Sequence, residues 1–161
     1  MLYNRENAVA YAHEWAYRRN PRFYDFHGIG GDCTNFNSQC LYAGCGVMNY
    51  TPVTGWFYIS LNNRAPAWTG VPFLYNFLVR NKGAGPYGQE LPLDQAMIAD
   101  IVQLSRDGNI FSHSLFIVEV GNPPTPENIL IATHTLDSDY RQLSSYTYAK
   151  SRLIHIIDAR I

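Results

Sequence analysis

Three stretches in the first half of the chain carry apolar residues at helical spacing. In the first, Asn4 is a suitable N-cap for a helix that runs to about Arg19. Val9, Ala12 and Ala16 lie on one face of this helix, as expected of a surface that packs on a core. The pattern therefore predicts an N-terminal helix, which ends where Asn-Pro follows.

A second helix is predicted from about Cys33 to Ala43, with Asp32 as its N-cap and Gly44 as the glycine that ends it. A third, "VPFLYNFLVRNK", begins at residue 71 with Thr69 as a possible cap. Its predicted buried face consists of Phe73, Leu74, Phe77 and Leu78. The rest of residues 46–92 is rich in glycine, proline and aromatic residues and is interpreted as loop.

From residue 97 the pattern changes to short apolar runs separated by turn residues: "MIADIVQL", "IFSHSLFIVEV", "ILIATHT" and "SRLIHIIDARI". Asp107-Gly108 and Pro123-Pro124 are typical of turns, and the β-branched runs between them predict an antiparallel sheet. Helices followed by such a sheet define an α+β fold, with N-terminal helices packed on a C-terminal antiparallel β-sheet. The 161 residues suit a single domain over 1–161.

The composition limits the kinds of partner that the protein is expected to bind. A net charge of −1 without any block of like charge argues against nucleic acid. No stretch resembles a signal peptide or approaches the roughly 18 apolar residues of a membrane span, and the sequence leaves the cellular compartment open. Cys33, Cys40 and Cys45 are too irregularly spaced for a disulfide framework or a zinc knuckle, so we expect free thiols, no metal and no cofactor.

Cys33 stands at a chemically suggestive place in "GIGGDCTNFNSQC". A thiol in the first turn of a helix faces unpaired N–H groups and the positive end of the helix dipole, which predicts a lowered pKa. The preceding glycines allow a substrate to approach closely, and the backbone N–H of Cys33 can donate to an oxyanion. The position predicts a nucleophile, although many helix-end cysteines are only buried packing residues.

A cysteine nucleophile needs a base, and the chain has five histidines. Alternation in "FSHSLFIV" places His113 on one face of a strand, and His134 ends the next strand, "ILIATHT". Antiparallel pairing of these strands would bring the two imidazoles side by side, so that one orients the other. His27 is the second candidate for the base, whereas His13 and His155 are interpreted as packing residues.

"YNRENAVAYAHEWAYRRNPRFYDF" followed by "GGDCTNFNSQCLYAG" resembles the bacterial putative amidase domain family. The resemblance continues through "GWFYIS", "ADIVQL" and "SHSLFIVEV" to "ATHTLDSDY". That family is similar to the papain-like superfamily, which includes the NlpC-type cell-wall peptidases. The resemblance implies a papain-like fold, with Cys33 as nucleophile, His113 as base and His134 as the orienting residue.

On this interpretation the protein is a cysteine-dependent amidase or peptidase that cleaves peptide or peptidoglycan-type amide bonds through an acyl-enzyme. Asp32 is a candidate for binding a free amine of the substrate, with helix capping as the alternative. Trp56 and Trp68 are candidates for the wall of a peptide or muropeptide groove, with core packing as the alternative. A transamidase or acyltransferase that uses the same nucleophile, and a non-catalytic binding module on the same scaffold, remain as other functions.

Overall fold

The computed structural model describes residues 1–161 and contains four helices and eight strands. The helices are α1 (Arg5–Trp15), α2 (Cys33–Cys45), α3 (Pro66–Thr69) and α4 (Val71–Arg80). The strands are β1 (Tyr58–Ser60), β2 (Asn63–Arg64), β3 (Gly85–Leu91), β4 (Ile101–Ser105), β5 (His113–Glu119), β6 (Leu130–Thr133), β7 (Ser138–Gln142) and β8 (Lys150–Arg160). None of the helices is long and apolar enough to cross a membrane.

Six strands form one antiparallel sheet in the order β3-β8-β4-β5-β6-β7, and β1 pairs with β2 in a separate ribbon. Near the middle of the sheet, β5 pairs with β4 so that His113 lies opposite Leu104. On its other side β5 pairs with β6, where Phe116 lies opposite Ala132. The predicted α+β class and the antiparallel sheet are confirmed.

The sheet buries apolar residues on both faces. Phe116 and Val118 of β5 belong to the larger core, together with Phe36 and Leu41 of α2. The alternate residues of β5, including Leu115, belong to a smaller core on the other face. The strict alternation predicted for this strand is therefore confirmed, and it puts α2 against the face that carries Phe116.

The helix ends differ from those predicted. Asn4 caps α1 as expected, because the backbone N–H of Asn7 donates to Asn4 Oδ1 at 2.9 Å, but the helix ends at Trp15 rather than about Arg19. Helix α2 continues past Gly44 to Cys45, and Gly46, whose φ is 69°, is its C-cap. Gly44 instead lies where α2 packs against the N-terminal segment, and its carbonyl accepts a hydrogen bond from the Asn4 N–H at 2.8 Å.

The loop-rich middle of the chain holds more structure than predicted. Leu74, Phe77 and Leu78 of α4 are buried as expected, but Phe73 is 54% exposed, and Gly70 rather than Thr69 occupies the N-cap position. The segment assigned to loop also contains α3, the β1–β2 ribbon and strand β3. Strand β3 forms the edge of the main sheet against β8.

Candidate functional site

A cleft of about 660 Å³ opens at the N-terminal end of α2. The start of β5 and the turns that flank β7 complete its walls. The lining residues are Gly30, Gly31, Cys33, Leu104, Arg106, Ser112, His113, Thr135, Leu136, Arg141, Ser145, Tyr146 and Thr147. Cys33 is the only cysteine in this lining and His113 the only histidine.

Cys33 is the first residue of α2 and is 6% exposed. Its neighbour Thr34 hydrogen bonds through Oγ1 to Ser114 Oγ at 3.0 Å, which attaches the start of the helix to β5. Asn37 strengthens this attachment, because its Nδ2 donates to the carbonyls of Cys33 at 2.8 Å and of Ser114 at 3.1 Å. Cys33 is therefore held in place by two residues of its own helix.

The predicted low pKa of the Cys33 thiol is wrong. Burial raises this pKa above its ordinary value, and a hydrogen bond from the Ser114 backbone N–H offsets only part of that effect. Cys33 Sγ also lies 3.8 Å from Thr34 Oγ1. The position at the helix start is as predicted, but desolvation outweighs the hydrogen bonds that the sulfur receives from Ser114 and Thr34.

No side chain caps the first turn of α2. The first N–H groups of a helix have no partner within the helix. The N–H of Thr34 donates to Cys33 Sγ, whereas the N–H of Cys33 makes no hydrogen bond in the structure. Such groups can stabilise the negative oxygen that forms when a carbonyl is attacked. This property of the site depends on Asp32 not acting as the predicted cap.

His113 begins β5 and lies in the same cleft as Cys33, but no hydrogen bond joins its ring to Cys33 Sγ. Its ring meets that of Tyr146 edge-on, with the ring centroids 5.7 Å apart. Burial, followed by the charges of Arg141 and Arg106, lowers the pKa of His113 to about 4. The imidazole is thus neutral at physiological pH and able to accept a proton.

His134 is not placed to orient His113. It is almost completely buried, and its Nδ1 lies 2.5 Å from Asp32 Oδ2 while its Nε2 lies 2.8 Å from the Trp15 carbonyl oxygen. Two oxygen atoms therefore hold the imidazole from opposite sides, one from the loop before α2 and one from the end of α1. Both ring nitrogens are therefore occupied, and the predicted contact between the two imidazoles is not formed.

Asp32 occupies the N-cap position of α2 as predicted, but its side chain makes no capping hydrogen bond and does not line the cleft. It is 1% exposed, and its Oδ1 accepts from Phe26 N–H at 2.8 Å and from Asn35 Nδ2 at 2.9 Å. Its Oδ2 contacts His134 and also lies 3.6 Å from Arg19 Nε. Both roles considered for Asp32, substrate binding and capping, are replaced by a third. It joins the loop before α2 to His134 after β6.

Trp56 and Trp68 do not line the cleft. Both are completely buried, with their rings 4.6 Å apart between centroids. Trp56 Nε1 donates to Ser38 Oγ at 3.0 Å, and Trp68 Nε1 donates to Asn35 Oδ1 at 2.9 Å. The alternative of core packing is correct for both tryptophans, because α2 supplies polar partners for their indole nitrogens inside the core.

The remaining histidines lie outside the cleft. His27 is exposed in the loop before α2. His13 Nδ1 lies 2.7 Å from Asp139 Oδ2, and His155 Nδ1 lies 3.0 Å from Asp100 Oδ2. These two histidines are paired with carboxylates rather than packed among apolar side chains alone.

The other cysteines are also free thiols, and burial raises the pKa of Cys40 and of Cys45. No group of three or more histidine, cysteine, aspartate or glutamate side chains is arranged to hold a metal ion.

Among the cleft residues that were not predicted from the sequence, three carry a charge or an aromatic ring: Arg106, Arg141 and Tyr146. Arg141 Cζ lies 3.8 Å from the centroid of the Tyr146 ring. Arg106 follows β4 within a turn, and Tyr146 follows a short helical turn, so no sequence pattern distinguishes them from surface residues. Nearby, Thr135 and Leu136 adopt positive φ of 77° and 54° in the turn between β6 and β7.

Residues 2–157 match the model of the putative amidase domain family, so the chain belongs to that family. The family description points to hydrolysis of amides. The chain is also 28% identical over 167 residues to the uncharacterized protein YhbB of Bacillus subtilis strain 168. That match covers 97% of this chain, which spans about half, 51%, of the relative's length. No solved structure matches the chain.

Proposed function

We propose that the protein is a cysteine-dependent amide hydrolase in which Cys33 is the nucleophile and His113 the general base. The observation that carries this proposal is that the cysteine at the start of α2 and a neutral histidine at the start of β5 open onto one cleft. Membership of an amidase family supports amide hydrolysis as the reaction.

The proposed reaction starts from a neutral thiol and a neutral imidazole. His113 turns toward Cys33 and takes the thiol proton as Sγ attacks the amide carbonyl. The oxygen of the tetrahedral intermediate accepts a hydrogen bond from the unpaired N–H of Cys33 at the start of α2. The C–N bond then breaks, the imidazolium protonates the leaving amine, and water activated by His113 hydrolyses the acyl-enzyme.

Asp32 and His134 have a positioning role in this proposal. Asp32 directly precedes Cys33 in the sequence, and its contact with His134 connects the loop before α2 to the end of β6. It holds the start of the helix at a fixed distance from the strands while leaving the first-turn N–H groups uncapped. His134 thus supports the nucleophile through Asp32 rather than through His113.

Cys33 starts a helix that packs against an antiparallel sheet, and His113 lies on a strand of that sheet. This arrangement supports a papain-like fold that spans the chain as a single domain. A peptide or peptidoglycan fragment is the proposed substrate, because the cleft is open along the loops and has the volume for several residues.

The first prediction tests the roles of the two residues. Cys33→Ala and His113→Ala should each lower amide hydrolysis at least about a thousand-fold, and the double variant should be little worse, because nucleophile and base act as a unit. Amine release from a panel of peptides and muropeptides measures turnover, and mass spectrometry of the intact protein detects the acyl-enzyme.

Cys45→Ala and His27→Ala are the matched controls, since both replace the same residue types outside the cleft. They should retain wild-type turnover, with folding checked by thermal melting. An active Cys33→Ala variant would exclude the nucleophile, and an active His113→Ala variant would exclude the base.

A further inference from the structure

The cleft around Cys33 carries a one-sided charge. Arg106 and Arg141 are both among its lining residues, whereas no aspartate or glutamate is. Neither arginine forms an ion pair in the structure, although carboxylates elsewhere pair with Arg5, Arg18 and Arg19. Two guanidinium groups without counter-charges in a concave site favour an anionic ligand.

The guanidinium of Arg141 is held in an orientation that suits binding of a carboxylate. Its Nε donates to Ser145 Oγ at 2.7 Å and its Cζ lies over the Tyr146 ring, which together fix the plane of the guanidinium. Its two terminal nitrogens make no hydrogen bond to the protein. Arg19 shows how two terminal guanidinium nitrogens bind a carboxylate, because its own contact the two oxygens of Asp137 at 2.8 and 3.0 Å.

The position of Arg141 relative to the reacting groups limits where the anion lies in the substrate. Arg141 and His113 both contact the ring of Tyr146, so a single aromatic side chain connects the guanidinium to the imidazole. A carboxylate bound to Arg141 would therefore be within one or two residues of the amide that Cys33 attacks.

We propose that this cleft selects amide substrates with a carboxylate close to the scissile bond, bound by Arg141 with Arg106 as a second positive charge. The inference rests on the proposed function, since it takes the amide at Cys33 as the reacting group. The charges of both arginines also disfavour protonation of His113, and a bound carboxylate would offset that effect.

Alkylation of Cys33 tests the charge without a known substrate. Iodoacetate is an anion and iodoacetamide is its neutral counterpart, and both attack the same thiol. At pH 9 and low salt, the rate ratio of iodoacetate to iodoacetamide at Cys33 should exceed the ratio for glutathione by about tenfold, because two positive charges line the cleft. Mass spectrometry of peptides separates the Cys33 adduct from those of the buried cysteines.

Arg141→Gln and Arg106→Gln should each reduce that ratio several-fold. A change in the reactivity of the thiol itself acts on both reagents and cancels in the ratio. Arg80→Gln is the matched control, because Arg80 lies in a separate cavity of about 590 Å³ beside α4. A ratio equal to that of glutathione, or an equal reduction by all three substitutions, would overturn the proposal.

A second measurement does not use the thiol. The imidazole NMR signals of His113 are followed in Cys33→Ala while an acetylated dipeptide is added, either with a free C-terminal carboxylate or with a C-terminal amide. We expect a saturable shift with the carboxylate form that Arg141→Gln abolishes. An equal response to both forms, or none to either, contradicts the inference. Turnover by Cys33→Ala would instead refute the proposed nucleophile alone.

Discussion

At the scale of single residues, the protonation states of Cys33 and His113 define the chemistry of the cleft. Burial raises the pKa of the thiol and lowers the pKa of the imidazole to about 4, so both groups are uncharged at neutral pH. The same desolvation acts on both, because each loses water that would stabilise its charged form. In the proposed mechanism, attack by Cys33 therefore requires proton transfer to His113 within the substrate complex.

The neutral state of His113 predicts the pH at which activity is lost on the acid side of the pH profile. His113 accepts a proton only when neutral, so kcat/KM should be high above its pKa and decline as the pH falls through about 4. Arg141→Gln removes a positive charge that opposes protonation, which should raise the pKa of His113 and move the limb to higher pH by about half a unit. The limb is measured with an uncharged amide substrate, and a limb near pH 6.5 in the wild type would contradict the prediction.

The contact between Asp32 and His134 predicts a large effect on stability. Asp32→Asn removes the buried carboxylate that contacts His134 and Arg19 and leaves one of its donors without an acceptor, so the free energy of unfolding should decrease by about 3 kcal/mol or more. Asp25→Asn is the matched control in the same loop. The carboxylate of Asp25 is solvated and paired with Arg19, so its loss should cost less than about 1 kcal/mol. Chemical denaturation of both variants makes the comparison, and equal losses would mean that the buried pair has no special role.

Residue-level patterns predicted some of this site and not the rest. Cys33 was proposed because it follows a glycine loop at a predicted helix start, and His113 because alternation in "FSHSLFIV" puts it on one face of a predicted strand. The partners of Asp32 and His134 were not found, because they come from α1, the preceding loop and β6, which meet only in the folded chain. Arg141 was missed for the same reason.

At the scale of elements, α2 shows how two glycines with similar sequence contexts serve different purposes. A Cβ on Gly44 would lie 2.6 Å from Tyr3 Cε1 and 3.0 Å from the Asn4 carbonyl oxygen, whereas a Cβ on Gly46 meets nothing within 4 Å. Gly46 is needed for its left-handed φ, and Gly44 for close packing against the N-terminal segment. From the sequence alone, the first glycine after the helical pattern is the expected end of the helix. The predicted end of α2 was therefore two residues too early.

The two glycines should therefore differ in substitution cost. Gly44→Ala must separate α2 from the residues before α1, and should lower the free energy of unfolding by more than about 2 kcal/mol. Gly46→Ala meets only backbone strain and should cost about 1 kcal/mol. Thermal and urea unfolding measure both, and a milder effect at Gly44 would mean that the two segments separate easily.

Two strands of the sheet, β3 and β7, were not predicted. Strand β3 reads "GPYGQEL", in which glycine and proline suggest a turn, yet it lies at the sheet edge where proline is tolerated. Strand β7 reads "SDYRQ", which is polar because it forms the opposite edge. Edge strands lack the continuous apolar pattern from which central strands are recognised.

At the scale of the whole molecule, the α+β class was predictable because the helical and strand patterns lie in separate halves of the chain. The burial of Trp56 and Trp68 was not, since it depends on α2 carrying polar side chains into the larger core. The cleft is likewise a property of the assembled fold, because its walls come from the start of α2, the start of β5 and the turns beside β7.

One of those turns has a consequence for how the protein could evolve or be engineered. Thr135 and Leu136 hold left-handed backbone conformations that non-glycine residues disfavour, at a cost of about 1–3 kcal/mol each, while Leu136 projects 77% exposed at the cleft. Thr135→Gly should therefore raise the melting temperature by a few degrees, and Leu136→Gly should do the same while increasing KM for peptides. Stability is then gained at the expense of recognition, and a search for heat-resistant variants alone would be expected to erode this wall of the cleft first. Melting curves and KM values for the two variants test this trade-off, which would be absent if Leu136→Gly left KM unchanged.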